Sequence, residues 1–259
     1  MKLIKTLAAS SALAFTLTLA ACGGGGGGGG GGTVSPPVVV TPPITLAQLQ
    51  GFWNGPVSGA SLGGATMART VVLSDGSAWL FLHDAQDNVV GLSTSKLAIS
   101  GQTFSGTGSR YPASGAKADS ITVSGGAPTS TTFPVTVVSG AGSSALALTA
   151  DTRYTTAATK ADATGNWRFT KSGGTIVANW TIDANGTLSG SSTLGCTYAG
   201  TVVPHGSVAV YDVALTETCT GSVTALSGIA KLNTAKTFLT FGMTTADGAL
   251  GETVVAAKI

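Results

Sequence analysis

The strongest constraint on the fold is an internal duplication. The segment LAQLQGFWNG leads into VVLSDGSAWLF, and later ATKADATGNWRF leads into WTIDANGTLSG. Each copy carries a short turn or helix, then Gly-x-Trp (Gly51 and Trp53; Gly165 and Trp167), then a strand ending in an acidic or amide residue with a glycine (Gly76; Gly186). The interval from tryptophan to turn glycine is 23 residues in the first copy and 19 in the second, a difference that a loop insertion explains. The duplication proposes two units, 45–150 and 151–259, of about 105 residues each.

Both units alternate short β-like runs with turn signals. The runs include ARTVVLS, SAWLFLH, SITVSGG, FPVTVVS, SALALTA, TIVANWTI, SVAVYDVALT and TFLTFGMT. The turns include Asp75-Gly76, Gly125-Gly126, Gly173-Gly174, Asn185-Gly186 and Asp247-Gly248. Close spacing with Asn-Gly and Asp-Gly turns predicts antiparallel hairpins. Only the regions around LAQLQ and YTTAATKADA suit helix, and both are short. The expected fold class is therefore all-β: two tandem antiparallel β-barrel or sandwich units after a disordered Gly/Pro linker. Each unit has room for about eight strands, enough to close a barrel and remove its edges.

The start of the chain carries different information. Lys2 and Lys5 precede Leu7 to Ala21, a stretch with no charged side chain, and then Cys22. This is the pattern of a secretion signal, too short for the roughly 20 apolar residues a membrane span needs. Leu19, Ala20, Ala21 and Cys22 resemble a bacterial lipobox. The resemblance implies cleavage after residue 21, a diacylglycerol on the Cys22 sulfur, and an N-terminus that can take a third acyl chain, which together hold stably to a membrane. By the same analogy Gly23, standing where aspartate would direct inner-membrane retention, points to the outer membrane. Residues 22–44 then read as a tether: ten glycines form flexible coil and SPPVVVTPP is stiffer. Such a linker spans roughly 25 Å.

Without the two signal lysines the chain has 11 basic and 11 acidic residues, scattered singly. That excludes a basic track for nucleic acid. If Cys22 is lipidated, Cys196 and Cys219 remain as one pair, and in an oxidising compartment a disulfide is expected. A hairpin turn centred on Pro204 to Ser207 would set Cys196 opposite Leu215, so a longer loop, a bulge or a neighbouring position must bring the cysteines together. A zinc site would want more Cys or His nearby, and His83 and His205 stand alone.

The remaining chemistry-bearing strings have structural explanations. GASLG (Gly59 to Gly63) fits G-x-S-x-G around Ser61 but lacks the strand, helix and downstream acid and histidine of a nucleophile elbow, so it reads as a loop. His83, Asp84 and Asp87 read as a strand end running into a polar turn, His205 as an exposed turn residue, and Asp183 and Asn185 as turn formers, two oxygens being far short of a calcium shell. No catalytic residue, metal site or cofactor is expected. Trp53 and Trp167 are expected to be structural, which leaves Trp79 and Trp180 as the candidates for ligand contact.

The Gly-x-Trp opening with an early hairpin, DANGTLSG in the second copy, resembles the start of calycin barrels such as lipocalins and avidins over about the first thirty residues of each unit. That resemblance implies a tryptophan plugging the barrel end and a glycine turning the chain into the first strand. Avidin ligand contacts are not recognisable, so biotin binding is not implied. The layout of a Gly-rich tether bearing small barrels is similar to surface lipoproteins of the transferrin-binding protein B and factor H-binding protein type, and only that architecture transfers. The functional expectation is a lipid-anchored outer-membrane or surface module of binding or adhesion type, non-enzymatic, acting through loops or a barrel mouth on another protein or a small apolar ligand. A small-molecule carrier using a barrel interior and an envelope structural protein are the alternatives.

Overall fold

The computed structural model describes residues 42–113, 115–171 and 174–259. The signal segment, Cys22 and the tether up to residue 41 lie outside them.

The chain forms two closed eight-stranded antiparallel barrels in tandem. The first follows a four-residue helix, α1 (Leu46–Leu49), and comprises β1 (Gly51–Gly59), β2 (Met67–Val72), β3 (Ser77–His83), β4 (Val89–Ser100), β5 (Thr103–Pro112), β6 (Asp119–Gly126), β7 (Thr132–Ser139) and β8 (Gly142–Asp151). Each strand pairs with the next, and β8 returns to β1 with Trp53 opposite Ala150. A 3-10 turn (Thr152–Thr155) and α2 (Lys160–Ala163) lead to the second barrel. Its strands are β9 (Gly165–Lys171), β10 (Ile176–Ile182), β11 (Thr187–Ser192), β12 (Thr197–Pro204), β13 (Tyr211–Cys219), β14 (Ser222–Leu232), β15 (Phe238–Thr244) and β16 (Gly251–Lys258). Here β16 closes on β9, with Ala257 opposite Arg168. Closure decides between barrel and sandwich, and satisfies the strand edges.

The duplicated opening is the closure device. In α1 the Gln48 Oε1 accepts the Thr45 N–H (2.7 Å), and before α2 the Thr159 Oγ1 accepts the Asp162 N–H (3.2 Å). Gly51 (φ +155°) and Gly165 (φ +139°) then swing the chain into the first strand at angles L side chains rarely adopt. The tryptophan two residues on turns inward, and its indole N–H donates back to the last helical carbonyl: Trp53 to Leu49 and Trp167 to Ala163, both at 2.8 Å. An apolar plug with its polar atom satisfied results in each copy, contributing roughly 4–6 kcal/mol of burial.

Period-two alternation fills both interiors. Ala78, Leu80 and Leu82 of β3 enter the first core beside Trp53, Phe104 and Phe133, while Phe169, Trp180, Tyr198 and Phe241 form an aromatic cluster in the second. Asp75, Asp84, Asp183 and Asp247 each accept the backbone N–H two residues ahead at 2.8–3.0 Å, so these carboxylates nucleate hairpin turns. Gly125-Gly126 differs from expectation. It ends β6 rather than forming a turn, and a side chain at Gly125 would strike the Phe104 ring 2.5 Å away, so this glycine makes room for a core aromatic.

Cys196 and Cys219 form a disulfide, with Cα atoms 4.2 Å apart. Thr197 opposes Thr218 and Pro204 opposes Tyr211, which continues to Cys196 opposite Cys219. The connecting loop is thus 205–210, longer than the turn centred on Pro204 to Ser207. Its extra residues are used elsewhere: Val208 and Ala209 hydrogen-bond the inter-barrel connector and Val210 is fully buried between the barrels.

Candidate functional site

Outward-facing barrel residues normally meet water and are polar. On the first barrel Phe52, Val71, Phe81, Leu92 and Tyr111 face outward yet are buried, because Tyr154 of the connector and Val210 and Ile229 of the second barrel cover them. The fit is knob into hollow. A Cβ at Gly242 would lie 2.9 Å from the Phe81 ring, and one at Gly251 would lie 2.3 Å from the Tyr111 ring. Backbone bonds zip the margin: Lys117 N–H to Ala249 O (2.9 Å), Gly251 N–H to Gly115 O (2.8 Å) and Ala209 N–H to Tyr154 O (2.9 Å). The Tyr111 hydroxyl donates to Gly248 O (3.0 Å). This seam is packed like a protein core.

A cleft of about 350 Å³ opens where the packing ends, walled by Phe52, Met67, Leu232 and Thr240 and by three cationic side chains, Arg69, Arg153 and Lys231. These arrive from β2, the connector and β14. Arg69 is paired with Asp87 (2.5 Å), and Arg153 Nε with both oxygens of Asp151 (2.9 and 3.0 Å). The Arg153 guanidinium, first, and then the backbone N–H of the same residue hold the Asp151 carboxyl down at about 2. Lys231 differs. Among the described residues no carboxylate pairs with it; its ammonium instead lies 5.4 Å from the Phe52 ring centre and 5.1 Å from that of Phe81. Burial, reinforced by repulsion from Arg69 and Arg153 and only partly offset by Asp151, pushes the amine down to about 7.

His83 borders this region. Its ring is buried at the end of β3, its Nδ1 lies 3.1 Å from the Asp87 carbonyl, and its Nε2 meets no partner among the described residues. Burial lowers its pKa against the opposing pull of Asp87.

The other residues singled out in the sequence fall elsewhere. Trp79 lies on the outer wall of β3, half-buried at the seam, whereas Trp180 is sealed inside the second barrel against Phe169, Tyr198 and Phe241. The two tryptophans do not share a site. Ser61 sits in the β1–β2 loop, fully buried, and its hydroxyl donates to Val137 O (2.9 Å). His205 is half-buried with its Nδ1 2.7 Å from Asp212, and Asp183 with Asn185 forms the β10–β11 turn. Glu217 lies beside Cys196 and Cys219, whose sulfurs are joined and offer no thiolate to a metal.

Arg69, Arg153 and Lys231 went unrecognised in the sequence because they look like isolated surface charges. The available clue was the two-sided apolar run WLFL (79–82), where alternation fails and both faces must be covered. Comparison with protein-family models, with curated proteins and with solved structures returns no match, so the reading of this chain rests on its own residues.

Proposed function

We propose that this chain is a lipid-anchored, non-enzymatic binding module of the bacterial outer membrane, tethered through Cys22 and recognising its ligand at the seam between the barrels. The observation that carries the reading is the contrast between filled barrel interiors and an open, cationic cleft on the shared outer wall. A carrier reading needs a lumen for cargo. Inward side chains such as Trp53, Phe133, Trp180 and Phe241 occupy that space.

Metabolic labelling with a palmitate analogue tests the anchor: wild type should label and Cys22→Ser should not. Equal labelling would remove the lipid anchor from the proposal. Protease treatment of intact cells then reports orientation. Cleavage of the barrels from whole cells supports a surface role, while protection until the outer membrane is opened places them in the periplasm.

A further inference from the structure

We propose that the seam cleft binds a small organic monocarboxylate, its carboxylate held by Lys231 between Arg69 and Arg153 and its apolar body laid against Phe52, Met67 and Leu232. This deepens the binding-module reading by naming the ligand class, and it rests on that reading only for the use of the seam.

Charge counting selects the class. Arg69 and Asp87 neutralise each other, as do Arg153 and Asp151, which leaves a single uncompensated positive charge at Lys231. A monoanion balances it, whereas a phosphate dianion would leave one negative charge uncompensated beside Phe52, Met67 and Leu232. The two arginines still present a positive field toward the cleft. The lining also defines what is attached to the carboxylate. Phe52 and Leu232 supply apolar surface, and Met67, 38% exposed, offers more at the mouth. A second hollow of about 240 Å³ shares Phe52, Arg153, Leu232 and Asn233 with the first and continues over Ala158 and Ala209, with the paired charges of Asp162 and Lys236 (2.7 Å) also in its lining. The pair forms a bed suited to a short hydrocarbon tail, in the size range of small-molecule sites.

The chemistry predicts a pH signature. The groups facing Lys231 are Arg69 on β2, Arg153 on the connector and Asp151 at the end of β8, with His83 and Asp87 at the end of β3 beyond Arg69. A carboxylate ligand stays ionised above about pH 5. Lys231 alone therefore sets the dependence: binding is strong below neutrality and weakens as the ammonium loses its proton above pH 7. By linkage, bound carboxylate raises the Lys231 pKa, by about one unit or more for a contact pair.

Hexanoate is the probe, titrated calorimetrically into the full chain at pH 6 and pH 9, with hexanol as the uncharged control. Expected are binding of hexanoate at pH 6, about tenfold weaker binding at pH 9, and weaker binding of hexanol at both. K231M should lose about tenfold at pH 6, while K231R, which keeps the charge, should still bind and lose the pH dependence. In the wild-type chain the Lys231 ¹³Cε resonance should titrate near pH 7 and shift upward with hexanoate. No hexanoate binding, equal binding by K231M, hexanol binding as tightly as hexanoate, or tighter binding of inorganic phosphate would each overturn the proposal. The Cys22→Ser chain should bind hexanoate like the wild type, so failure of the anchor and failure of the site are read separately.

Discussion

The two barrels share an opening and a topology and differ in what they place inside and outside. Each is plugged by a tryptophan that donates to the carbonyl four residues back. Beyond that point the interiors diverge. The second barrel holds four clustered aromatics and a disulfide. The first is largely aliphatic around Trp53, Phe133 and Phe104, and it buries the hydroxyls of Thr70, Ser93 and Ser95 without a partner among the described residues, as the second does the Trp180 indole N–H. Their outer walls are complementary. The first barrel turns Phe81 and Tyr111 outward, and the second answers with Gly242 and Gly251. The comparison teaches that closing a barrel needs one local device, repeated, while docking two barrels needs them to be unlike.

Removing the plugs should have the largest effect. W53A and W167A are each expected to cost about 3–5 kcal/mol in urea unfolding, the usual range for an emptied aromatic site. A cost below about 1 kcal/mol in either copy would break the equivalence of the two openings. Next comes the disulfide. Replacing Cys196 and Cys219 by serine releases a loop with a sequence separation of 23 and should cost about 3 kcal/mol. Hydrogen exchange should then rise in β9–β16 and stay low in β1–β8; uniform loosening would show that the barrels do not keep separate stabilities.

The seam itself is probed by G251A, which sets a Cβ against the Tyr111 ring and should cost about 1–3 kcal/mol. Truncating the ring in the double variant with Y111A should recover most of the overpacking cost, although the lost aromatic contact remains. If the double variant is as unstable as the sum of the two singles, the knob-into-hollow account fails. The effect at Lys231 is set by pH. Its folded pKa of about 7 lies below the ordinary 10.5, so between these values the unfolded chain binds more protons and stability rises with pH. The penalty is fully present below pH 7 and gone above 10.5. K231M should therefore stabilise the protein more at pH 6 than at pH 10.5, as thermal melts at the two pH values would register.

Much of each barrel was legible in the sequence. The runs SAWLFLH and FPVTVVS lie in strands, TIVANWTI does so from Ile176 on, and the expectation that Gly-x-Trp is structural matches the two buried plugs. Asp75 and Asp183 form the turns their glycines announced. Other features were not legible. Gly125 looked like a turn residue because its reason for lacking a side chain, the Phe104 ring, comes from another strand. The hairpin loop was read short because Val208 and Val210 gain their partners only when the other barrel arrives. The cationic cleft was invisible for the same reason: Arg69, Arg153 and Lys231 come from distant parts of the chain.

Strands and tight turns in two matching units follow from the order of residues alone. Those are consequences of local chemistry: period-two alternation, Asx turns, glycine angles and a tryptophan within reach of the preceding helix. The strand register behind the disulfide, the face on which the barrels meet and the setting of Lys231 come from long-range packing. Desolvation and like-charge repulsion depend on which groups share a small volume, and for Phe52, Arg69, Arg153 and Lys231 that volume exists only once both barrels have closed and docked.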